Sequence, residues 1–243
     1  MKLSRLPSGQ PEIFYTVQGE GISTGKPSIF MRLSLCNLHC TWCDTPYTWN
    51  WENTPWETTS GRKYSKKEQI IELSIEDILS TISSYPCQHL VITGGEPLLQ
   101  QKELLELISI LPSSWTIEFE TNGTLIPESL PLDRQIQYNV SPKLAHSGNK
   151  PELALKAEAL QWFNQYPLAS FKFVINTPSD LETIAELREL YNIPASKIIL
   201  MPKGISSEAI RDSSEAIINH CLEHGYRFSD RLHVHVWGNE RAK

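Results

Sequence analysis

Long apolar runs are missing from this 243-residue chain: no stretch approaches the roughly 18 apolar residues that a membrane-spanning helix needs. The opening stretch MKLSRLPSGQPEIFYTVQGEG has no apolar core of signal-peptide length, so a cytoplasmic location with no membrane partner is expected. Basic clusters are missing too. Lysine and arginine total 22 against 28 acidic residues, a net charge of −6, and no basic stripe forms, which argues against a direct nucleic-acid partner. Cysteine is scarce, and its count of 5 is odd, with three of the five packed into one loop; a disulfide scaffold is excluded on both grounds. There is no internal repeat and no low-complexity segment. What remains is an ordinary globular composition, long enough to bury a core and better suited to a single domain over residues 1–243 than to two.

Apolar runs of strand length alternate with helical patterns. Ser28–Leu35 reads as a strand feeding the cysteine loop. The stretch after that loop, rich in tryptophan, threonine and asparagine, reads as an irregular insertion at about 45–73. The run LSIEDILSTI reads as a helix with Ser74 as N-cap and Asp77 three residues on. QHLVIT, WTIEFET, QYNVSPK, SFKFVI and KIILMP read as strands, with RLHVHVW as the last one. PLLQQKELLELISIL, DLETIAELRELY and SSEAIRDSSEAIINHCLEHG read as helices. Strands separated by helices of this length imply βαβ units and a parallel sheet. About six units are too few for a closed eight-fold barrel, so the expected fold is α/β, a partial, open (βα) barrel. The unusual segments, which are the cysteine loop, GGEP, ETNG, SPK and MPKG, each follow a strand. Ligands of parallel α/β folds sit at the carboxyl ends of strands, so these five segments are expected to share one pocket.

CNLHCTWCD holds Cys36, Cys40 and Cys43 in a C-x3-C-x2-C spacing. A structural zinc site needs four ligands, with His39 or a distant histidine as the fourth, but zinc modules normally present ligands in two separated pairs. Thiolate-rich loops also suit iron–sulfur clusters. A four-iron cubane on three protein thiolates leaves one iron free to take a substrate or cofactor. Cys87 and Cys221 stand alone and read as small buried hydrophobes.

The cysteine spacing, with Trp42 just before the last cysteine, resembles the radical S-adenosylmethionine (SAM) superfamily. TGGEP, Thr93 to Pro97, resembles that superfamily's SAM-binding element; its glycines admit close backbone approach, and its exposed polar groups could hold the methionine amine. Without the cysteine loop, the same letters read as a helix-initiating turn. The order VQGEG, GKPSIFMRL, CNLHCTWCDT and SPK further resembles the 7-carboxy-7-deazaguanine synthase family, from about Phe14 to Lys143 and more loosely near His233. The resemblance implies a radical SAM type of partial barrel, a 4Fe-4S cluster, SAM and Mg²⁺. It implies a carbon–nitrogen lyase of the queuosine, tRNA-modification and 7-deazapurine pathways. That lyase converts 6-carboxytetrahydropterin to 7-carboxy-7-deazaguanine with release of ammonia. It also implies an electron donor such as a flavodoxin or ferredoxin, and a homodimer.

By position, the resemblance assigns the cluster to Cys36, Cys40 and Cys43 and Mg²⁺ to Thr45. SAM falls to Trp42, Cys43, Asp44, Gly95, Glu120, Ser141, Pro142 and Lys143. The substrate falls to Gln18, Gly19, Glu20, Arg32, Thr93 and His233, and no residue is assigned as protein acid or base. From the residues alone, QGE is a surface turn, Asp44-Thr45 is a turn before Pro46, and Glu120 is a strand-end carboxylate. An arginine fork among apolar neighbours, as at Arg32, suits a carboxylate. His233 and His235, two apart in an expected strand, would share one face. MPKG lines the SAM side in this reading, and Trp49, Trp51 and Trp56 cover the site or pack their own loop. His39, His89, His146, His220 and His224 carry no motif; the last two share a helix face stopped at Gly225. Two rival functions remain: an activase of a glycyl-radical enzyme, with the same cluster and GGEP but a protein substrate, and a zinc-stabilised binding module.

Overall fold

In the computed structural model, which describes residues 1–128 and 134–243, the apolar runs pair into one sheet. Strands β1 (Lys2–Ser4) and β2 (Ile13–Val17) both run antiparallel to β3 (Pro27–Leu33). Beyond the cysteine loop, irregular backbone leads to α1 (Lys66–Gln69) and β4 (Ile70–Glu72), and β4 pairs with β1. The tryptophan-rich segment therefore ends as an edge strand of the sheet. Then follow α2 (Ile75–Ser83), β5 (His89–Gly94), α3 (Gln101–Ile110), β6 (Thr116–Thr121), β7 (Ile136–Val140) and α4 (Pro151–Ala154). The chain closes with α5 (Ala157–Gln165), β8 (Ala169–Ile175), α6 (Pro178–Tyr191), β9 (Ile198–Pro202), α7 (Ser207–His224), β10 (Arg227–Phe228) and α8 (Leu232–Trp237).

Strands β3, β5, β6, β7, β8, β9 and β10 lie side by side in chain order, each parallel to the next. The path ends at β4 on one side and β10 on the other, so the sheet does not close. It is a partial (βα) barrel with its strand carboxyl ends on one rim. Parallel strands are covered on both faces, and ASFKFVI in β8 is accordingly buried along its whole length. The helices start and stop where short-range chemistry directs. The Ser74 hydroxyl accepts from Asp77 N at 3.1 Å and caps α2. A reciprocal Thr177–Asp180 capping box opens α6, and Gly225, at φ +69°, ends α7.

One element differs from expectation. RLHVHVW is helix α8, not a final strand. Seven residues carry too few periods to separate a repeat of 2.0 from one of 3.6, and tertiary contacts decide instead: Leu232 N donates to Gly19 O at 2.9 Å, docking the helix start on the QGE loop. On a helix, residues two apart diverge, so His233 and His235 do not share a face. His233 faces Gly19 and Glu20, whereas His235 turns outward to Asp230 and Ser207 at 2.9 and 3.0 Å.

Candidate active site

A cavity of about 760 Å³ opens at the carboxyl ends of the parallel strands. Around it the fold gathers Cys36, Cys40 and Cys43, then Trp42, Asp44 and Thr45, then Thr93 and Gly95, and Glu120, Ser141 and Lys143. Gln18, Gly19, Glu20, Arg32 and His233 line it from the other side. Pro142 is buried and does not reach the cavity wall. Met201, Lys203 and Gly204 of MPKG also line the cavity.

The cysteine loop follows β3 directly and is held by side chains from distant segments. Asn149 accepts from His39 N at 2.9 Å and donates Nδ2 to Cys40 Sγ at 3.2 Å. Trp49 donates Nε1 to Cys43 Sγ at 3.3 Å, and Leu38 N points at Cys36 Sγ at 3.5 Å. Each sulfur therefore already meets a donor, as a thiolate requires. Burial pushes all three thiols up in pKa, so iron must displace their protons to bind. His39, the fourth ligand a zinc site would need, is stacked on Trp56 with ring centroids 3.9 Å apart. Three soft donors with no fourth protein ligand among the described residues fit a cluster that keeps one open iron.

Glycine is required where GGEP meets this loop. Gly94 has φ +126°, and a side chain there would collide with the Leu33 backbone. A Cβ on Gly95 would overlap the Leu35 carbonyl and sit 3.2 Å from Cys36 Cβ. The strand end thus lies flat against the cluster loop. Glu96 differs from expectation: its side chain is fully buried, not exposed toward a ligand. It accepts from Leu98 N (3.0 Å), Thr121 Oγ1 (2.8 Å) and Asn122 N (2.7 Å), tying GGEP to ETNG. Only the backbone of GGEP is left to meet a ligand.

Beside the loop, the Trp42 ring stacks on His146 at 5.3 Å, with Lys143 and Lys203 ammonium groups 5.6 and 5.8 Å from its centre. Its indole Nε1 is buried without a partner among the described residues. A flat aromatic face, two cations and a free donor fit the adenine and carboxylate of SAM.

Across the cavity sits a network of buried charges that sequence reading missed. Lys172, from the middle of β8, donates to Glu20 at 2.6 Å and to Glu120 at 2.8 Å. Arg231 donates Nε to Glu20 at 2.8 Å, Nη2 to Asp44 at 2.6 Å and Nη1 to Gly204 O at 2.5 Å. Burial opposes charge on Glu20, yet Lys172, Arg231 and His233 hold its carboxyl well below the usual range. Glu120 goes the other way: burial, reinforced by Glu118 and Glu20, pushes it up against the pull of Lys172. Gln18 turns its amide donors inward, to Glu118 at 2.5 Å and Glu120 at 3.3 Å. Glu120, carried above by resemblance toward SAM, is thus engaged on the Glu20 side. Arg32 gives Nε to the fully buried Glu12 at 2.8 Å, and neither of its Nη groups has a protein partner among the described residues. Thr45 Oγ1 lies 3.7 Å from Cys43 Sγ. A signal for Lys172 did exist: it is the one charged residue inside the buried strand ASFKFVI.

The fold and the loop define a radical SAM protein, and the description "Radical SAM superfamily" matches residues 33–140. The chain is 34% identical over 235 residues to 7-carboxy-7-deazaguanine synthase of Pyrobaculum aerophilum, covering 96% of both chains. To the enzyme of that name from Escherichia coli it is 32% identical over 232 residues, 93% of this chain and 96% of the other. The crystal structure of QueE from Escherichia coli superposes with a TM-score of 0.68 at 30% identity, covering 96% of this chain and 95% of that one. The chain belongs to the 7-carboxy-7-deazaguanine synthase family, and a 4Fe-4S cluster and SAM are its cofactors. No helix among the described residues is long and apolar enough to cross a membrane.

Proposed function

We propose that this protein converts 6-carboxy-5,6,7,8-tetrahydropterin to 7-carboxy-7-deazaguanine with loss of ammonia, acting as one domain. The observation that carries this reading is the open Arg32 fork, which lines the cavity and whose two Nη groups have no protein partner among the described residues. A guanidinium with two free Nη groups takes a carboxylate in bidentate fashion. Bound at Cys36, Cys40 and Cys43 and the SAM side of the cavity, the cluster and SAM would supply radical chemistry for hydrogen abstraction from the substrate. The chain's own residues bind and orient. Cys36, Cys40 and Cys43 hold the cluster; Trp42, Cys43, Asp44, Gly95, Ser141 and Lys143 form the SAM side, with Pro142 buried between the last two. Glu20 and Glu120 present carboxylates to the amino and ring N–H edge of the pterin, with Gln18, Gly19 and Thr93 shaping its bed. Thr45, with its hard hydroxyl oxygen, is the protein ligand for Mg²⁺. His233, whose pKa burial lowers against the pull of Glu20, stands beside that carboxylate to help seat the substrate. A flavodoxin- or ferredoxin-like donor would deliver the electron to a cytoplasmic enzyme working as a homodimer.

The test is anaerobic incubation of reconstituted protein with 6-carboxytetrahydropterin, SAM, dithionite and Mg²⁺, followed by chromatography for the deazaguanine. Stoichiometric 7-carboxy-7-deazaguanine, with SAM largely unconsumed, is expected. A loaded cluster that cleaves SAM but yields no such product would refute the substrate assignment.

A further inference from the structure

Arg32 is not held by Glu12 alone. The Glu12 carboxylate is fully buried, and its second oxygen accepts from Nη2 of Arg241, near the C-terminus, at 2.6 Å. The Arg241 guanidinium lies 3.6 Å over the Tyr47 ring, and the Tyr47 hydroxyl donates to Glu12 Oε1 at 3.3 Å. Further bonds from Arg241 Nη2 to Ser4 Oγ (3.0 Å) and Arg5 O (3.1 Å), and from Nη1 to Gln69 (3.3 Å), pin the tail after α8 onto β1, the residue that follows it and the end of α1. Gly238, Asn239, Glu240 and Arg241 all line the cavity.

The charge count gives this arrangement a consequence. Arg32 with Glu12 alone is a neutral pair, and a ligand carboxylate approaching it meets little net attraction. Arg241 restores one positive charge to the set, because a single buried anion is shared between two guanidiniums. In a low-dielectric pocket that difference is large. We propose that Arg241 is a positioning and specificity residue of the C-terminal tail. By engaging Glu12, it leaves the Arg32 fork aimed at the cavity with an uncompensated charge, and so sets the preference for a carboxylated pterin. The proposal rests on the assignment of Arg32 to the substrate carboxylate.

The experiment measures binding of two unreactive probes, 6-carboxypterin and pterin, to the anaerobically reconstituted full chain by fluorescence titration. Wild type is expected to favour 6-carboxypterin. Arg241→Gln should reduce that preference roughly tenfold or more while leaving pterin binding nearly unchanged, and Arg241→Lys should recover part of it. In turnover, Arg241→Gln should raise KM for 6-carboxytetrahydropterin more than it lowers kcat. A merely structural role would weaken both probes alike, and that result overturns the proposal, as does an Arg241→Gln protein with the wild-type preference. Should Arg241→Gln fail to fold, Arg241→Lys and Glu12→Gln decide the matter. Glu12→Gln removes the shared anion and should strengthen 6-carboxypterin binding relative to pterin; unchanged or weaker preference there counts against the proposal. Arg32→Ala separates the two levels. If it keeps the carboxylate preference, the substrate assignment of Arg32 fails; if it loses the preference and Arg241→Gln does not, only the tail proposal fails.

Discussion

Replacing Lys172 by methionine removes one buried cation and strands two carboxylates. Its ammonium lies 2.6 Å from Glu20 and 2.8 Å from Glu120, with only 5% of the side chain exposed. Deleting one partner of a buried pair costs about 3–5 kcal/mol, since the remaining charge stays desolvated. Here the two carboxylates fare differently. Glu20 keeps Arg231 at 2.8 Å, whereas Glu120 retains only the amides of Asn139 and Gln18, at 2.9 and 3.3 Å. The lower end, about 3 kcal/mol, is therefore expected. For a chain of this size that corresponds to a melting point lower by roughly 6–12 °C.

The pH dependence follows from the direction of the Glu120 shift. Burial already pushes its carboxyl up, and loss of Lys172 pushes it further. A carboxyl whose folded pKa lies above its unfolded value, about 4.3, begins to cost stability as pH rises past that value. The full cost is reached above the folded pKa. The Lys172→Met deficit should thus be larger at pH 8 than at pH 5, where Glu120 can take up a proton. Anaerobic melting of the reconstituted wild type and variant at both pH values is the assay. A deficit under about 2 °C at pH 8, or equal deficits at the two pH values, would refute this account of the buried triad.

Gly95→Ala should yield a folded protein that does not retain iron and sulfide, because the added methyl displaces Leu35 and Cys36; full cluster content by iron analysis would contradict the packing described for the loop. Trp49→Phe removes the indole donor to Cys43 Sγ, so the cluster should still assemble but with a more negative reduction potential in an anaerobic redox titration. Glu96→Gln sets an amide against three inward donors, Leu98 N, Thr121 Oγ1 and Asn122 N, and should cost about 1–3 kcal/mol in chemical denaturation. Asp180→Ala removes the capping box of α6, and burial apart, its contacts with Thr177, Asn176 and His146 hold the Asp180 carboxyl below its usual range. Its contribution, about 1 kcal/mol, is present above the unfolded pKa and fades as pH falls through the folded value, so wild type and variant should converge in stability at strongly acidic pH.

The sequence by itself determined what depends on neighbours in the chain. Three cysteines within eight residues present their sulfurs to one small volume whatever lies beyond them, and Gly94-Gly95 announces a backbone that must pass close to something. The alternation of buried strands with capped helices made the open parallel barrel legible, since periodicity and caps such as Ser74 and Gly225 are local. Tertiary structure decided the partners. Lys172 between Glu20 and Glu120 spans separations of 152 and 52 residues, and Arg231 reaches back 187 residues to Asp44. Its own neighbours along the strand gave Lys172 no motif, only the oddity of a charge in SFKFVI. The fate of RLHVHVW was likewise settled from outside, by the Gly19 carbonyl that receives its first N–H and the glycine surface on which His233 rests. Charges in a sheet interior are intelligible only once the opposite charge is in place. The strand register that brings them together is fixed by apolar packing along the whole barrel, not by the residues that react.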